Sequence, residues 1–365
     1  MDVRVLILCF SVAFIMALTS TPLVKVFACK LGAIDIPDGN RRVHKVPIPR
    51  LGGLAIFFGF MVAILAFANI DSQTRGILIG SMMIVAIGIL DDVKQLKATL
   101  KLLVQIIAAI VVVSHGVKIT AISVPTFIVE GGILPLKWFS IPITILWIVG
   151  VTNAVNLIDG LDGLAVGISS IATFSLFFIA ILAGEPNVAI ISAALAGSCL
   201  GFLPYNFNPA KIFMGDTGST FLGFILSVIC IQGLFKGYAI ISFIIPFLIL
   251  GLPLFDTGVA IIRRIHNKKP IMGADRGHLH HKLIDMGFSQ KQTVAILYVI
   301  AMLLGLSAVV LVEQGAKVAF ILIAIVLVLL IFGSKIISWQ TQRIKSELEN
   351  ELEESKSKIG GNGND

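Results

Sequence analysis

The chain has 365 residues, of which 57% are Ala, Val, Ile, Leu, Met, Phe, Trp, Tyr or Cys, and a further 34 are glycine. Soluble chains average about 45 to 50% on that apolar count with glycine included, and no water-soluble interior hides so much apolar surface. Charged residues supply 13%, half the usual ~25%, which excludes a disordered chain, a secreted scaffold and a nucleic-acid-binding module together. The net charge of +7 is dispersed over short stretches between apolar runs, so it reads as a topology signal and predicts no nucleic-acid partner. Cys9, Cys29, Cys199 and Cys230 show no C-x-x-C spacing and read as small apolar fillers.

In chain order, the first apolar run is about Val3 to Phe27. It is longer than the ~7 to 15 residues of a secretory signal core, and its basic flank follows it, so a retained membrane span is expected. A bilayer core of ~30 Å needs about 20 apolar residues per helix. Ten more candidate spans follow: Leu51 to Ala68, Ile77 to Leu90, Leu100 to Ser114, Trp138 to Thr152, Gly163 to Leu182, Val188 to Leu203, Thr220 to Phe235, Tyr238 to Ile262, Val294 to Val312 and Ala319 to Ile337. Between the fourth and fifth, Lys118 to Leu136 contains Pro125, Glu130, Gly131, Gly132 and Pro135, which favours a hairpin turning at Gly131-Gly132 over another span. From Gln340 onward the chain is polar. The expected fold is an all-α, polytopic membrane bundle of about eleven transmembrane helices with a small external hairpin. Residues 1–338 form the membrane domain, and 339–365 a cytoplasmic helix and disordered tail.

Eleven spans with the N-terminus outside and the C-terminus cytoplasmic leave only Arg4, Arg75, Lys118, Lys137, Lys236 and Lys317 on the exterior, as the positive-inside rule asks. That topology was set by Lys and Arg alone, yet it brings Asp91, Asp92, Asn153, Asn156, Asp159, Asp162, Asn206, Asn208, Asp216, Asp256, His278, His280 and His281 to the cytoplasmic side. Ionisable groups at membrane depth are expensive and mark ligand sites or cavities. In Asn153 to Ala165 the polar groups recur at three-residue steps, aligning Asn153, Asn156, Asp159 and Asp162 along one side of a helical or near-helical turn. The EF-hand spacing is missing, which leaves oxygen ligands suited to Mg²⁺ and a polar substrate. Gly215-Asp216-Thr217-Gly218-Ser219 sets a carboxylate at a helix start. His278-Leu279-His280-His281 lacks a usual zinc spacing, and Arg276 and Lys282 beside it favour a phosphate. The loop from Arg41 to Gly53, with His44, Lys45 and Arg50, is basic and also fits anionic lipid headgroups; Lys101 is placed to meet a lipid phosphate. Carboxylates for a metal and bases for phosphate at one bilayer edge imply phosphoryl transfer from a soluble donor to a lipid acceptor. No P-loop is present, so the donor is a nucleotide-activated group of another kind.

These motifs, in order over about Thr21 to Gly287, resemble the polyprenyl-phosphate N-acetylhexosamine-1-phosphate transferases, the family of MraY, WecA and TagO. They are Val43-His44-Lys45 with Pro49 to Gly53, Leu90-Asp91-Asp92, Asn153 to Ala165, Phe213 to Ser219, and Ala274 to His281. The pattern of Arg276 with His278, His280 and His281 resembles the WecA/TagO branch. The resemblance implies transfer of GlcNAc-1-phosphate from UDP-GlcNAc to undecaprenyl phosphate with release of UMP, at the cytoplasmic face of the plasma membrane, initiating a cell-envelope glycan such as teichoic acid or O-antigen. It implies Mg²⁺ (Mn²⁺ substituting), held by Asp216 and Asn156, and a homodimer through lipid-facing helices. It makes Asp91 the base on the lipid phosphate with Asp92 beside it, and groups Asp159 with these catalytic carboxylates. Asp159, Asp162 and Asn206 position the nucleotide, His44, Lys45, Arg50 and Lys101 bind substrate, and Arg276 with the three histidines grips the pyrophosphate and sugar. The alternatives are an MraY-type transfer of phospho-MurNAc-pentapeptide, and a lipid or nucleotide-sugar transporter. The transporter fits less well because polar groups gather at one face, not at a midplane between repeats.

Overall fold

The computed structural model describes residues 2–37, 46–123, 129–130, 132–233, 244–268, 270, 277–314, 318, 321 and 324. His44, Lys45, Arg276, the eleventh candidate span apart from Ile321 and Ala324, and the polar C-terminal segment lie outside the described residues.

Apolar runs become helices because lipid offers the backbone no hydrogen bonds, so each segment must satisfy its own. The chain forms α1 (Val3–Leu31), α2 (Gly53–Phe67), α3 (Ser72–Lys94), α4 (Ala98–Ser114), α5 (Ser140–Leu157), α6 (Leu164–Leu182), α7 (Pro186–Asn206) and α8 (Gly215–Gln232), then α9 (Ile244–Ile249), α10 (Gly251–His266), α11 (Leu279–Asp285) and α12 (Gln290–Gln314). Among the described residues seven helices are long and apolar enough to cross a membrane: α1, α3, α5, α6, α7, α8 and α12. The shorter α2 and α4 are apolar as well. The expected all-α polytopic membrane fold is thus observed.

The ninth candidate span departs from expectation, for where it is described it is two helices. The chain breaks at Leu250 between α9 and α10, with Pro246 and Pro253 on either side. Proline lacks an N–H and its ring crowds the preceding turn, so a straight helix through both is disfavoured. Between α4 and α5 the expected hairpin is observed, with β3 (Ala121–Ser123) pairing antiparallel to β4 (Ile133–Pro135) and Ile122 opposite Leu134. The connection is 124–132, and the turn expected at Gly131-Gly132 includes Gly131, which lies outside the described residues. A second small ladder pairs β1 (Ile34–Asp35) with β2 (Ile48–Pro49).

Helix α8 is the centre of the bundle. Every residue from Thr217 to Ile231 is buried, and α8 packs against α2, α3, α5, α6 and α7. Small residues permit this, as in other helical membrane bundles: a Cβ at Gly53 of α2 would overlap Gly218, and one at Gly88 of α3 would strike Thr217. Both contacts fall on the first turn of α8, where the polar motifs meet.

The helices alternate in direction, so the C-terminal ends of α3, α5 and α7 lie with the N-terminal ends of α4, α6 and α8. The β3–β4 hairpin follows the other end of α4. One end of the bundle therefore collects the motifs and the other carries the hairpin.

Candidate active site

Construction starts at the N-terminus of α8, whose first N–H groups have no intrahelical acceptor. Met214, at the cap position, supplies no side-chain bond. Asp92, near the end of α3, does so from outside. Its carboxylate accepts from Asp216 N (3.0 Å), Thr217 N (3.0 Å) and Thr217 Oγ1 (2.6 Å). Gly215 adopts φ +72°, and a Cβ there would run into the Asp92 carboxylate. The Gly-Asp-Thr motif is thereby explained locally: a glycine for the turn and the close approach, then two N–H groups for Asp92. The segment before α8 is zipped to the one before α2, with Phe213 N donating to Pro49 O and Gly52 and Gly53 N donating to Phe213 and Met214 O. Arg50 is carried on that zipper, and its Nε donates to the Asp92 carbonyl at 3.1 Å.

Asp216 faces the other way. Lys101, from the first turn of α4, places Nζ 2.7 Å from Asp216 Oδ2 and 3.0 Å from Asp91 Oδ2. Asp91 Oδ1 accepts from Leu96 N at 2.7 Å, which holds the carboxylate at the α3–α4 turn. Asn156 Nδ2 lies 3.4 Å from the same Asp216 oxygen, and Asn156 Oδ1 accepts from Ser219 Oγ at 3.1 Å. Three residues from three helices, Asp91, Lys101 and Asn156, thus gather at one carboxylate.

The row expected over Asn153 to Asp162 is corrected in part. Helix α5 ends at Leu157, and Asp159 and Asp162 lie in the loop to α6, because Gly160 and Gly163 (φ +77°) interrupt the helix. Asn156, Asp159 and Asp162 still line a common cavity, whereas Asn153 turns to Gln105 on α4, its Nδ2 donating to Gln105 Oε1 at 2.7 Å. Asp162 Oδ2 accepts from Asn208 Nδ2 and Ala210 N; Asn206 accepts from Gly163 N and donates to Ile212 O. Asp162 and Asn206 therefore brace the loop before α8 while bordering the cavity.

That cavity has a volume of about 250 Å³ and is bordered by Asp35, Asp92, Asp159, Asp162 and Asp216, with Arg50, Asn156, Asn206, Phe213, His281 and Gln290 among its other residues. Burial, then the charges of Asp216, Asp92 and Asp162, push the Asp159 carboxyl up to about 8. Its side chain borders the cavity, where burial is the larger cause of the shift and the neighbouring carboxylates add to it.

Behind His281, which borders the cavity, His278 and His280 are buried. His278 is buried, its Nδ1 2.9 Å from Asp256 Oδ2 of α10, and Asp256 Oδ1 caps α11 by accepting from Leu279 N at 2.8 Å. His280 stacks on His278 at 5.8 Å and meets His281 at 4.2 Å. Burial, then His281, lowers His280 to about 4, so it is neutral at pH 7. Gly160 gives the His280 ring its space, for a Cβ there would overlap Nε2. Of the three, only His281 reaches the cavity surface. Asp35, Gln105 and Gln290 are not among the site residues expected from the sequence, and Asp256 is expected at this end of the bundle without an assigned role. The detectable signal was polarity in apolar surroundings, at Gln105 within Leu102 to Val113 and at Asp256 beside Phe255.

The description Glycosyl transferase family 4 matches residues 74–234, which spans α3 to α8. A probable undecaprenyl-phosphate N-acetylglucosaminyl 1-phosphate transferase of Bacillus subtilis is 45% identical over 325 residues, covering 88% of this chain and 89% of the relative. The chain belongs to the polyprenyl-phosphate N-acetylhexosamine-1-phosphate transferase family. A second member, a decaprenyl-phosphate N-acetylglucosaminephosphotransferase of Mycobacterium leprae, is 35% identical over 314 residues and 78% of each chain. A phospho-N-acetylmuramoyl-pentapeptide-transferase of Caldicellulosiruptor bescii is 31% identical over 324 residues, 84% of this chain and 97% of the relative. As a family member the chain is a transferase and a multi-pass membrane protein.

Proposed function

We propose that this protein transfers GlcNAc-1-phosphate from UDP-GlcNAc to undecaprenyl phosphate, releasing UMP. The observation that carries the reading is the position of Lys101, whose ammonium joins Asp91 and Asp216 at 3.0 and 2.7 Å beside a cavity bordered by five aspartates. Two anionic substrates must meet there, and a site of this composition holds cations between anions. The names of the relatives at 45% and 35% identity support GlcNAc as the sugar; the MurNAc-pentapeptide reading is supported at 31%.

A lipid phosphate oxygen attacks the β-phosphorus of the donor, the bond from that phosphorus to the oxygen bridging the α-phosphate breaks, and UMP leaves. A phosphate oxygen is already nucleophilic, so the chain's work is to align the two phosphates and offset their repulsion. Asp91 accepts or orients any proton on the lipid phosphate, and Lys101 guides that phosphate in. Asp159 and Asp162 face the nucleotide, Arg50 supplies positive charge to the pyrophosphate, and His281 offers a ring nitrogen to the pyrophosphate or sugar. Arg276, His44 and Lys45, outside the described residues, are assigned to the same substrates. Asp92 and Asn206 hold Asp216 and the loops in place.

The donor set suits Mg²⁺. Asp216 offers oxygen ligands, Asn156 would offer Oδ1 once its amide is inverted, and the Lys101 ammonium already lies against Asp216. Among the described residues no group of three or more His, Cys, Asp or Glu is placed to hold an ion; an ion here would take most of its ligands from water and phosphates. When bound, Mg²⁺ supplies charge neutralisation on the pyrophosphate and the leaving UMP. The cytoplasmic orientation is supported by basic residues at the site end, namely Lys25, Lys30, Lys94, Arg263 and Arg264, against Arg75, Lys118 and Lys137 at the other. The test is UMP release by purified protein. Release from UDP-GlcNAc that requires undecaprenyl phosphate and Mg²⁺ is expected; release only with UDP-MurNAc-pentapeptide would select the second reading, and none with either donor would reject both.

A further inference from the structure

Asn156 sits beside Asp216 with the wrong end of its amide forward for a metal ligand. Nδ2 points at Asp216 Oδ2 (3.4 Å), and Oδ1 is turned back to Ser219 Oγ (3.1 Å). That orientation matches the cation now present, because the Lys101 ammonium lies on Asp216 and the amide N–H adds a second donor to the same oxygen. It is an uneasy arrangement at Ser219. This buried hydroxyl has one proton and two acceptors in reach, Gly215 O at 3.0 Å and Asn156 Oδ1 at 3.1 Å, and it cannot donate to both at once.

Inverting the amide relieves the conflict. The Ser219 hydroxyl then donates to Gly215 O and accepts from Asn156 Nδ2, so both contacts are satisfied by one proton, and Asn156 Oδ1 is brought next to Asp216 Oδ2. Two oxygens side by side repel each other unless a cation lies against both. The charge beside Asp216 therefore selects between the two orientations.

We propose that Ser219 is a positioning residue that turns the Asn156 amide from donor to ligand when a divalent ion replaces Lys101 at Asp216. The proposal rests on the reading of Asp216 and Asn156 as the ion's protein ligands. Ser219 touches neither ion nor substrate; it acts by serving as donor in one state and acceptor in the other, which alanine cannot do.

The experiment measures Mn²⁺ binding to the purified full-length protein, without substrates, from the electron paramagnetic resonance signal of free Mn²⁺. Removing a partner that orients a metal ligand costs about 10 to 100-fold in affinity. Ser219→Ala is expected to weaken Mn²⁺ binding by that order while leaving the metal-free unfolding transition at the wild-type temperature. Asn156→Ala is expected to weaken it at least as much, and the double variant no further than Asn156→Ala alone, because both act through one amide. Additive losses, or wild-type Mn²⁺ affinity in Ser219→Ala, would overturn the proposal. Asp216→Ala separates the levels: if it loses Mn²⁺ binding while Ser219→Ala keeps it, only the Ser219 role fails, whereas if it retains wild-type binding, the assignment of Asp216 fails as well.

Discussion

Asp92 is the residue whose chemistry is most easily mistaken, since it adjoins Asp91 and borders the cavity, yet its oxygens are engaged by the backbone of another helix. Asp92→Ala removes three hydrogen bonds from α8, to Asp216 N, Thr217 N and Thr217 Oγ1. A typical hydrogen bond of this kind contributes about 0.5 to 1.5 kcal/mol, and the ~0.5 to 2 kcal/mol effect of a helix cap is the same bonds seen at the helix end. Water entering through the cavity recovers part of this, so the net destabilisation is about 2 to 4 kcal/mol. Asp92→Asn keeps one acceptor oxygen and loses about one bond, for about 0.5 to 1.5 kcal/mol. Asp91→Asn leaves the α8 cap intact and is expected to melt like the wild type. A thiol-reactive dye reads the difference directly, because Cys9, Cys199 and Cys230 are buried and only Cys29 is exposed before unfolding. The expected order of unfolding temperatures is Asp92→Ala lowest, Asp92→Asn next, then Asp91→Asn with the wild type. If Asp92→Ala melted with the wild type but transferred nothing, Asp92 would belong to the reaction and the capping argument would be wrong.

Asp216→Ala is expected to abolish transfer in a folded protein, and Asp91→Asn to impair it severely; wild-type turnover in either variant would remove its assigned role. Asp159 sets a pH dependence. Its carboxyl titrates near 8 in the fold and near ~3.9 in the unfolded chain, so between those values the unfolded state binds fewer protons and stability falls as pH rises. The metal-free wild type should therefore lose unfolding temperature relative to Asp159→Asn from about pH 5 to about pH 8; parallel curves would contradict the buried-charge account. Gly160→Ala should displace the His280 ring and lower transfer, and His280→Ala in the same chain should add little further loss; fully additive losses would show that the two do not meet.

Hydropathy carried the architecture, because a segment in lipid must close its own hydrogen bonds and α1 to α8 had no alternative to helix. The hairpin at Lys118 to Leu136 was legible for the converse reason: two prolines and two glycines cannot sustain a span. What the period could not show was where a helix stops inside a polar run. The three-residue steps from Asn153 to Asp162 continue past Leu157, but the backbone does not, since Gly163 takes a positive φ and Asp162 is drawn to Asn208 and Ala210. Composition located the acidic and basic groups at one end of the bundle without distinguishing a carboxylate that caps a helix, such as Asp92, from one that faces a cation, such as Asp216. That distinction depends on which N–H groups lie within 3 Å, a property of α3 against α8 that neither segment holds alone. The Asp256–His278 and Gln105–Asn153 pairs escaped for the same reason, each joining residues of different helices.

The most direct measurement is the anomalous signal of Mn²⁺ in crystals grown with UDP-GlcNAc. The account predicts one peak against Asp216 and Asn156, the pyrophosphate beside it, and the nucleotide within the cavity between Asp159, Asp162 and His281. A peak elsewhere, or a nucleotide bound outside that cavity, would contradict it.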